Sequence, residues 1–112
     1  MTTTNRRQDH LKRQDPAYRL YTADFLVRTQ SMTDEQVGKF IRLLCFQHQN
    51  GHITEAEMMS FCKGRDELVF LKFRQDSKGL FYNEEMEKEI ARRAQVSRSK
   101  AHAAARRWNG DR

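Results

Sequence analysis

Cysteine, proline and glycine are scarce in this 112-residue chain, with two, one and five copies. Cys45 and Cys62 cannot form a dense disulfide framework, and none is required. A chain of this length hides roughly 60–70% of its unfolded surface on folding, which suffices for one core without disulfide or metal staples. No glycine-rich phosphate loop or G-x-S-x-G elbow is present, and no Cys/His pair stands with a third orienting group in recognisable context. No enzyme is therefore expected. Long apolar runs are also missing. Nothing approaches the ~18 residues of a transmembrane helix, and the 32% charged content excludes a membrane-embedded chain. Residues 2–15 carry Arg6, Arg7, Lys12 and Arg13 but lack the apolar segment of a signal peptide, so a cytoplasmic protein with no membrane partner is expected. The single proline, Pro16, follows a stretch in which only Met1 and Leu11 are apolar. Residues 1–15 are accordingly expected to form a mobile basic arm outside the core.

Charge is distributed unevenly. The chain holds 21 Lys and Arg against 15 Asp and Glu, a net +6. Residues 1–15 hold four basic and two acidic groups, residues 16–90 ten and twelve, and residues 91–112 seven and one, giving +2, −2 and +6. A nearly neutral body thus precedes a cationic tail. Ten of the aromatic residues lie between Tyr18 and Tyr82, so the body is where a core can form. No internal repeat is visible.

Two helix starts use the same device, a capping box inside a hydrophobic staple. In Met32-Thr33-Asp34-Glu35-Gln36-Val37, Thr33 and Gln36 cap each other while Met32 packs on Val37. Ile53-Thr54-Glu55-Ala56-Glu57-Met58 repeats the arrangement. Val37, Phe40, Ile41, Leu44, Cys45 and His48 recur at helical spacing, with Leu43 and Phe46 widening the apolar stripe, which predicts a central helix over residues 34–50 with one buried face, stopped by Gly51 as a left-handed cap. A short helix follows Thr54 and ends at Gly64, and another spans residues 66–72. Residues 73–76 and 80–83 read as strands joined by the turn Ser77-Lys78-Gly79. Asn83 can cap a final helix beginning Glu84-Glu85-Met86-Glu87, with acidic groups at its positive end. Upstream, residues 18–21 look extended and residues 23–29 form a short helix led by Thr22. The expected architecture is a mostly helical α+β winged helix-turn-helix-like domain over residues 16–90, with a β-hairpin wing, and a long basic, alanine-rich C-terminal helix or tail over residues 91–112.

Four separated motifs carry a family likeness: Tyr18-Arg19-Leu20-Tyr21-Thr22-Ala23-Asp24-Phe25, the stretch from Met32 to Cys45, Gly51-His52-Ile53, and Lys78-Gly79-Leu80-Phe81-Tyr82-Asn83-Glu84-Glu85. Together they resemble a YdaU-type prophage family, itself similar to the N-terminal winged-helix domains of phage replisome organisers and DnaD-like primosomal proteins. The likeness covers about residues 16–100. It implies a winged-helix domain working in DNA replication initiation. Relatives often continue through a Gly/Lys-rich linker into a second domain, whereas this sequence stops at Arg112. Any recruitment of a helicase or loader by that second domain is therefore not expected of it.

Cys45, His48, His52 and Cys62 superficially spell a zinc site, but tetrahedral ligation needs four converging groups. Gly51 breaks the helix before His52, and both cysteines fall on apolar series, where a free cysteine behaves as a small hydrophobe. No metal or cofactor is expected; His48 is read as a helix-end residue and His52 as a turn residue. The acidic pairs Asp34/Glu35, Glu55/Glu57 and Glu84/Glu85 each lie in a first helical turn, where the macrodipole favours them. The phenylalanines have core spacing, while Tyr18, Tyr21 and Tyr82 fit either a core edge or a wet surface.

Basic residues are the candidate site. Lys63, Arg65, Lys72, Arg74 and Lys78 border the recognition helix and decorate the wing, where they would contact phosphates or form an ordinary solvated surface. Asp66 and Glu67 stand at the start of the helix that should enter the major groove, where they would meet phosphates unless cytosine amino groups take them. On the last helix Arg92, Arg93, Arg98, Lys100, Arg106 and Arg107 accompany a stripe of Ile90, Ala94, Ser97, Ala101, Ala104 and Trp108. Three readings stay open for it: a phosphate-tracking arm, a dimerising helix, and a tail that folds on a partner. The function expected is a phage or prophage nucleic-acid-binding accessory, with DNA as partner. The alternative is a protein-interaction module that binds a replisome protein or forms a homodimer.

Overall fold

The structure, a computed structural model, describes residues 16–110, the side chains of residues 106–110 excepted. The expected arm over residues 1–15 lies outside the described residues. In chain order come α1 (Thr22–Arg28), α2 (Asp34–Asn50), α3 (Glu55–Cys62), α4 (Glu67–Phe70), β1 (Arg74–Gln75), β2 (Phe81–Tyr82) and α5 (Glu84–Gly110). The protein is mostly helical, with a small two-stranded antiparallel hairpin, so it belongs to the α+β class.

Both capping boxes form as the sequence predicts. Thr33 Oγ1 accepts from the Gln36 amide at 3.1 Å, and the Gln36 side chain accepts from the Thr33 amide at 2.9 Å. Thr54 and Glu57 repeat the exchange at 3.1 and 3.0 Å. Each box satisfies two of the amides that a helix start leaves without partners. α2 then crosses the centre of the molecule and packs against α3, α4 and α5. Its buried residues are Phe40, Leu43, Leu44, Gln47 and His48. Ile53, Met58, Cys62, Val69, Phe70, Phe73, Phe81 and Met86 complete the core around it.

That buried face is turned relative to the one expected. At 100° per residue, the centre of the observed face lies roughly 60° from the centre of the predicted series. Cys45 consequently rotates out and is exposed, and Gln47 takes an inward place. The other boundaries shift for local reasons. Gly51 has φ 85° and ψ −157°, which is not the left-handed helical cap but a mirror-image extended geometry that essentially only glycine adopts. α3 ends two residues before Gly64. Lys63 takes the left-handed position at φ 55°, ψ 45°, and the Gly64 amide reaches the Met59 carbonyl at 3.0 Å, as in a Schellman ending. α4 is a single turn rather than the seven residues predicted. α1 starts at Thr22 itself, and Tyr21 precedes it with no side-chain cap.

In the hairpin, Arg74 pairs with Tyr82 and Gln75 with Phe81. Asp76 closes its turn by accepting from the Lys78 and Leu80 amides at 2.8 and 3.0 Å. Ile53 forms an antiparallel bridge to Phe81, exchanging amide bonds of 2.7 and 2.6 Å. This ties the α2–α3 connection to the hairpin. α5 starts as predicted, with Asn83 Oδ1 accepting from the Met86 amide at 3.0 Å. Met86, Glu89 and Ile90 hold its first turns against the body. Residues 97–105 are exposed on all sides. The radius of gyration is 17.2 Å, well above the about 13 Å of a compact chain of this size, because the helix projects.

Candidate nucleic-acid interface

Acidic groups crowd the start of α5 and vanish further along. Glu84, Glu85 and Glu87 occupy the first turn and Glu89 the second, and no Asp or Glu follows until Asp111. Arg92 folds back on Glu89, donating at 3.0 and 2.7 Å. The buried Glu89 carboxylate also accepts the Arg19 amide at 3.0 Å, which moors the N-terminal segment. These bonds, led by the one from Arg92, hold the Glu89 carboxyl below the usual range. Arg93 is half-buried beside it. Arg98 and Lys100 are exposed on the projecting part, Arg98 hydrogen-bonded to Gln95 at 2.9 Å. The side chains of Arg106, Arg107 and Trp108 lie outside the described residues. By helical geometry, positions 92, 93, 100, 106 and 107 share a sector of about 140°, and position 98 falls outside it.

The five cations around the hairpin are not a common patch. Arg65 pairs with Glu67 at 2.7 Å, and its guanidinium sits 4.7 Å over the Phe70 ring. Lys72 donates to the Arg28 carbonyl at 2.6 Å. Arg74 pairs with Glu84 at 3.2 Å. Lys63 at the α3 cap and Lys78 in the hairpin turn are exposed. Asp66 does not face outward, as expected of a residue opening a groove-facing helix. It turns onto α2, accepting from Gln36 at 3.1 Å and Lys39 at 3.3 Å. The outer side of α4 presents Glu67 and the exposed Leu68, with Leu71 just beyond its end.

His52 has a role that sequence reasoning missed. Its Nδ1 lies 2.6 Å from Asp76 and its Nε2 2.9 Å from Glu87, while the ring stacks on Tyr82 at 4.6 Å. The Asp76 bond raises the His52 pKa against the opposing effect of desolvation, and the Glu87 contacts raise it further. The same His52 bond leads the causes that lower Asp76. Glu87 in turn accepts from the fully buried Gln47 at 3.0 Å, and Gln47 exchanges bonds with the Asn83 backbone at 3.2 and 2.7 Å. Asn83 donates on to the Lys72 carbonyl at 2.9 Å. The network joins the loop after α2, the hairpin and the start of α5. No local pattern signals it, since Gln47 stands between Phe46 and His48 and off the helical series predicted to be buried.

The four residues of the superficial zinc pattern go separate ways. Cys45 is exposed, and Cys62 is buried with its thiol pKa raised by desolvation. His48 packs on the Tyr18 ring at 5.3 Å, and both His52 nitrogens face carboxylates. Among the described residues no group of three or more His, Cys, Asp or Glu could hold a metal ion. Burial, reinforced by Cys45, pushes the Tyr18 phenol up to about 12. Of the three tyrosines left open by the sequence, Tyr18 packs at the edge of the core, Tyr82 is half-buried against the His52 ring and Tyr21 is exposed. Among the described residues no helix is long and apolar enough to cross a membrane. Comparison with protein-family models, with curated proteins and with solved structures gives no match to this chain.

Proposed function

We propose that the protein is a non-enzymatic nucleic-acid-binding accessory in which a winged-helix-like body carries a basic helical arm onto the phosphate backbone. The observation that carries this reading is the charge segregation along α5: every acidic group sits at its anchored start, and the part that projects is basic and exposed. A projecting cationic helix releases counterions from duplex DNA without reading its sequence. The order of α2, the Ile53 bridge, α3, α4 and the hairpin supports the winged-helix assignment. The likeness of the sequence motifs to replisome-organiser domains supports a place in phage or prophage replication initiation.

The test is equilibrium binding to a random duplex over a range of salt. Residues 97–112 hold five basic groups and one acidic group. If all five neutralise phosphates, their removal flattens the plot of log K against log salt by about 4 to 5 and weakens binding to all sequences alike. Absence of duplex binding by the full chain at low salt overturns the reading.

A second reading, interaction with a replisome protein or a second copy, is favoured by the apolar surface on and near α1. Leu26 and Val27 are each 71% exposed and Leu71 75%. Under this reading the arm truncation leaves DNA binding negligible before and after, and Leu26→Ser with Val27→Ser changes the size of the protein in solution or its capture of a replisome protein.

A further inference from the structure

We infer that the cleft between the end of α1, the root of the hairpin and the start of α5 is a seat for one backbone phosphate of duplex nucleic acid, occupied in the unbound protein by the carboxylates of Glu84 and Glu85. The inference rests on the nucleic-acid reading above and adds a defined contact site in the body.

The cleft encloses ≈ 270 Å³, ample for a phosphodiester group, and Arg28, Lys72, Arg74, Asn83, Glu84 and Glu85 line it with Phe40 and Leu71. Three separate elements bring the cations together: α1 ends with Arg28, the turn after α4 supplies Lys72, and β1 opens with Arg74. Lys72 donates to the Arg28 carbonyl, so its positive charge is fixed in place without being cancelled. Arg28 meets Glu85 at 3.6 Å and Arg74 meets Glu84 at 3.2 Å. Three cations against two carboxylates leave the cleft at +1, so it attracts an anion even while the carboxylates are in place.

The two carboxylates can leave. All four side chains in these ion pairs are between 46% and 69% exposed, and pairs that open to solvent hold weakly. Glu85 has a second partner three residues along α5, since Lys88 lies at 3.7 Å. When Glu85 turns to Lys88, the Arg28 guanidinium is released for a planar two-bond grip on phosphate. The positive end of the α5 dipole, which now attracts the carboxylates, attracts a phosphate as well. The position suits the arm too. From Glu84 to Arg98 the helix rises about 21 Å, so less than one ~34 Å turn of duplex reaches from the exposed arm to the cleft. The arm supplies general attraction, and the seat orients the hairpin on the strand.

The test measures binding of a short random duplex as salt is raised, for the full chain and three double variants, each checked for an unchanged thermal melt. Glu84→Gln with Glu85→Gln is expected to bind about 3- to 10-fold tighter, with a salt slope steeper by about 1. Arg28→Gln with Arg74→Gln is expected to bind several-fold more weakly with a shallower slope. Asp34→Asn with Glu35→Gln, which removes the same charge from the start of α2, is expected to change affinity less than 2-fold, roughly the effect of distant screened charges. Equal tightening by the two acidic variants would overturn the seat, since general charge would then account for it. The seat also fails if the full chain binds duplex but neither cleft variant alters affinity, a result that leaves the arm-based reading standing. If neither the full chain nor the Glu84/Glu85 variant binds duplex, both readings fall. Binding of inorganic phosphate alone at the cleft, with duplex affinity unmoved by the variants, would make it a free-anion site and overturn the assignment.

Discussion

Met86, Glu89 and Ile90 fasten the first turns of α5 to the core, whereas every residue from position 97 to 105 is exposed. One continuous helix thus has two stabilisers. Its first part is held by tertiary burial and by the bonds of Asn83 and Glu89. The second part depends on local propensity, with Ala101, Ala103, Ala104 and Ala105 supplying the strongest helix former. Isolated helical segments of such length are marginal in water, so the projecting part opens at low free-energy cost while the body unfolds as a unit. Under the proposed nucleic-acid reading, the body would orient the protein and the compliant cationic rod would attract it.

The largest effect that would break this comparison lies in the core. Leu44→Ala should lower the free energy of unfolding by roughly 2–5 kcal/mol in a urea titration, because Leu44 is buried on the central helix. Ala101→Gly, on the projecting part, should leave the same transition within about 0.5 kcal/mol of the starting protein. Comparable losses at both sites would mean that the rod is packed against something and that the division is wrong.

Gln47→Ala comes next. Gln47 is fully buried and its side chain bonds the Asn83 amide and carbonyl; the carbonyl keeps the Glu87 amide at 3.0 Å, so truncation strands the buried Asn83 amide and opens a small cavity. A loss of roughly 2–4 kcal/mol is expected in the same titration. A loss below about 0.5 kcal/mol would show that water replaces the amide and that the network does not hold α5 to the body.

Thr33→Ala and Thr54→Ala should each cost about 1 kcal/mol, the usual value of a helix cap. Both caps are exposed, so the two losses should add. A double variant much worse than the sum would place the two helix starts in one cooperative element.

The smallest expected effect is a pH dependence within the body, read by comparing the melting of the starting protein with that of His52→Gln. His52 has a raised pKa, so its contribution is complete below its ordinary value of 6.5 and fades as pH rises through the higher folded value. Asp76 has a lowered pKa, so its contribution is complete above 3.8 and fades as pH falls through the lowered folded value. The melting difference should therefore be greatest between 3.8 and 6.5 and shrink on the alkaline side. A difference that grows with pH would mean that His52 is held neutral.

The parts that the sequence made legible are those written within three or four residues. The capping boxes join positions three apart, as does the Asn83 cap, and α2 runs over the predicted residues 34–50. The hairpin was found with its Gly79 turn, though its strands are two residues each and not four. The candidate site was less legible. Lys72 and Arg74 were named as phosphate contacts from their type and neighbourhood, but nothing near them in the chain indicates that Arg28 and Glu84 are their partners. The same holds for Asp66, whose partners Gln36 and Lys39 lie on a different helix.

Composition and short-range pattern alone determined the helical starts, the course of α2 and the separation of an almost neutral body from a basic tail, because each is set by bonds or charges between residues close along the chain. Only the tertiary structure decided which face of α2 is buried, that Cys45 points outward and Gln47 inward, that His52 links Asp76 to Glu87, and that Arg28, Lys72 and Arg74 share a cleft with two carboxylates. Those arrangements depend on how helices rotate to fill one core and on contacts between positions 10 to 57 residues apart. No local periodicity encodes such distances, since the energy that sets them comes from packing all the elements at once.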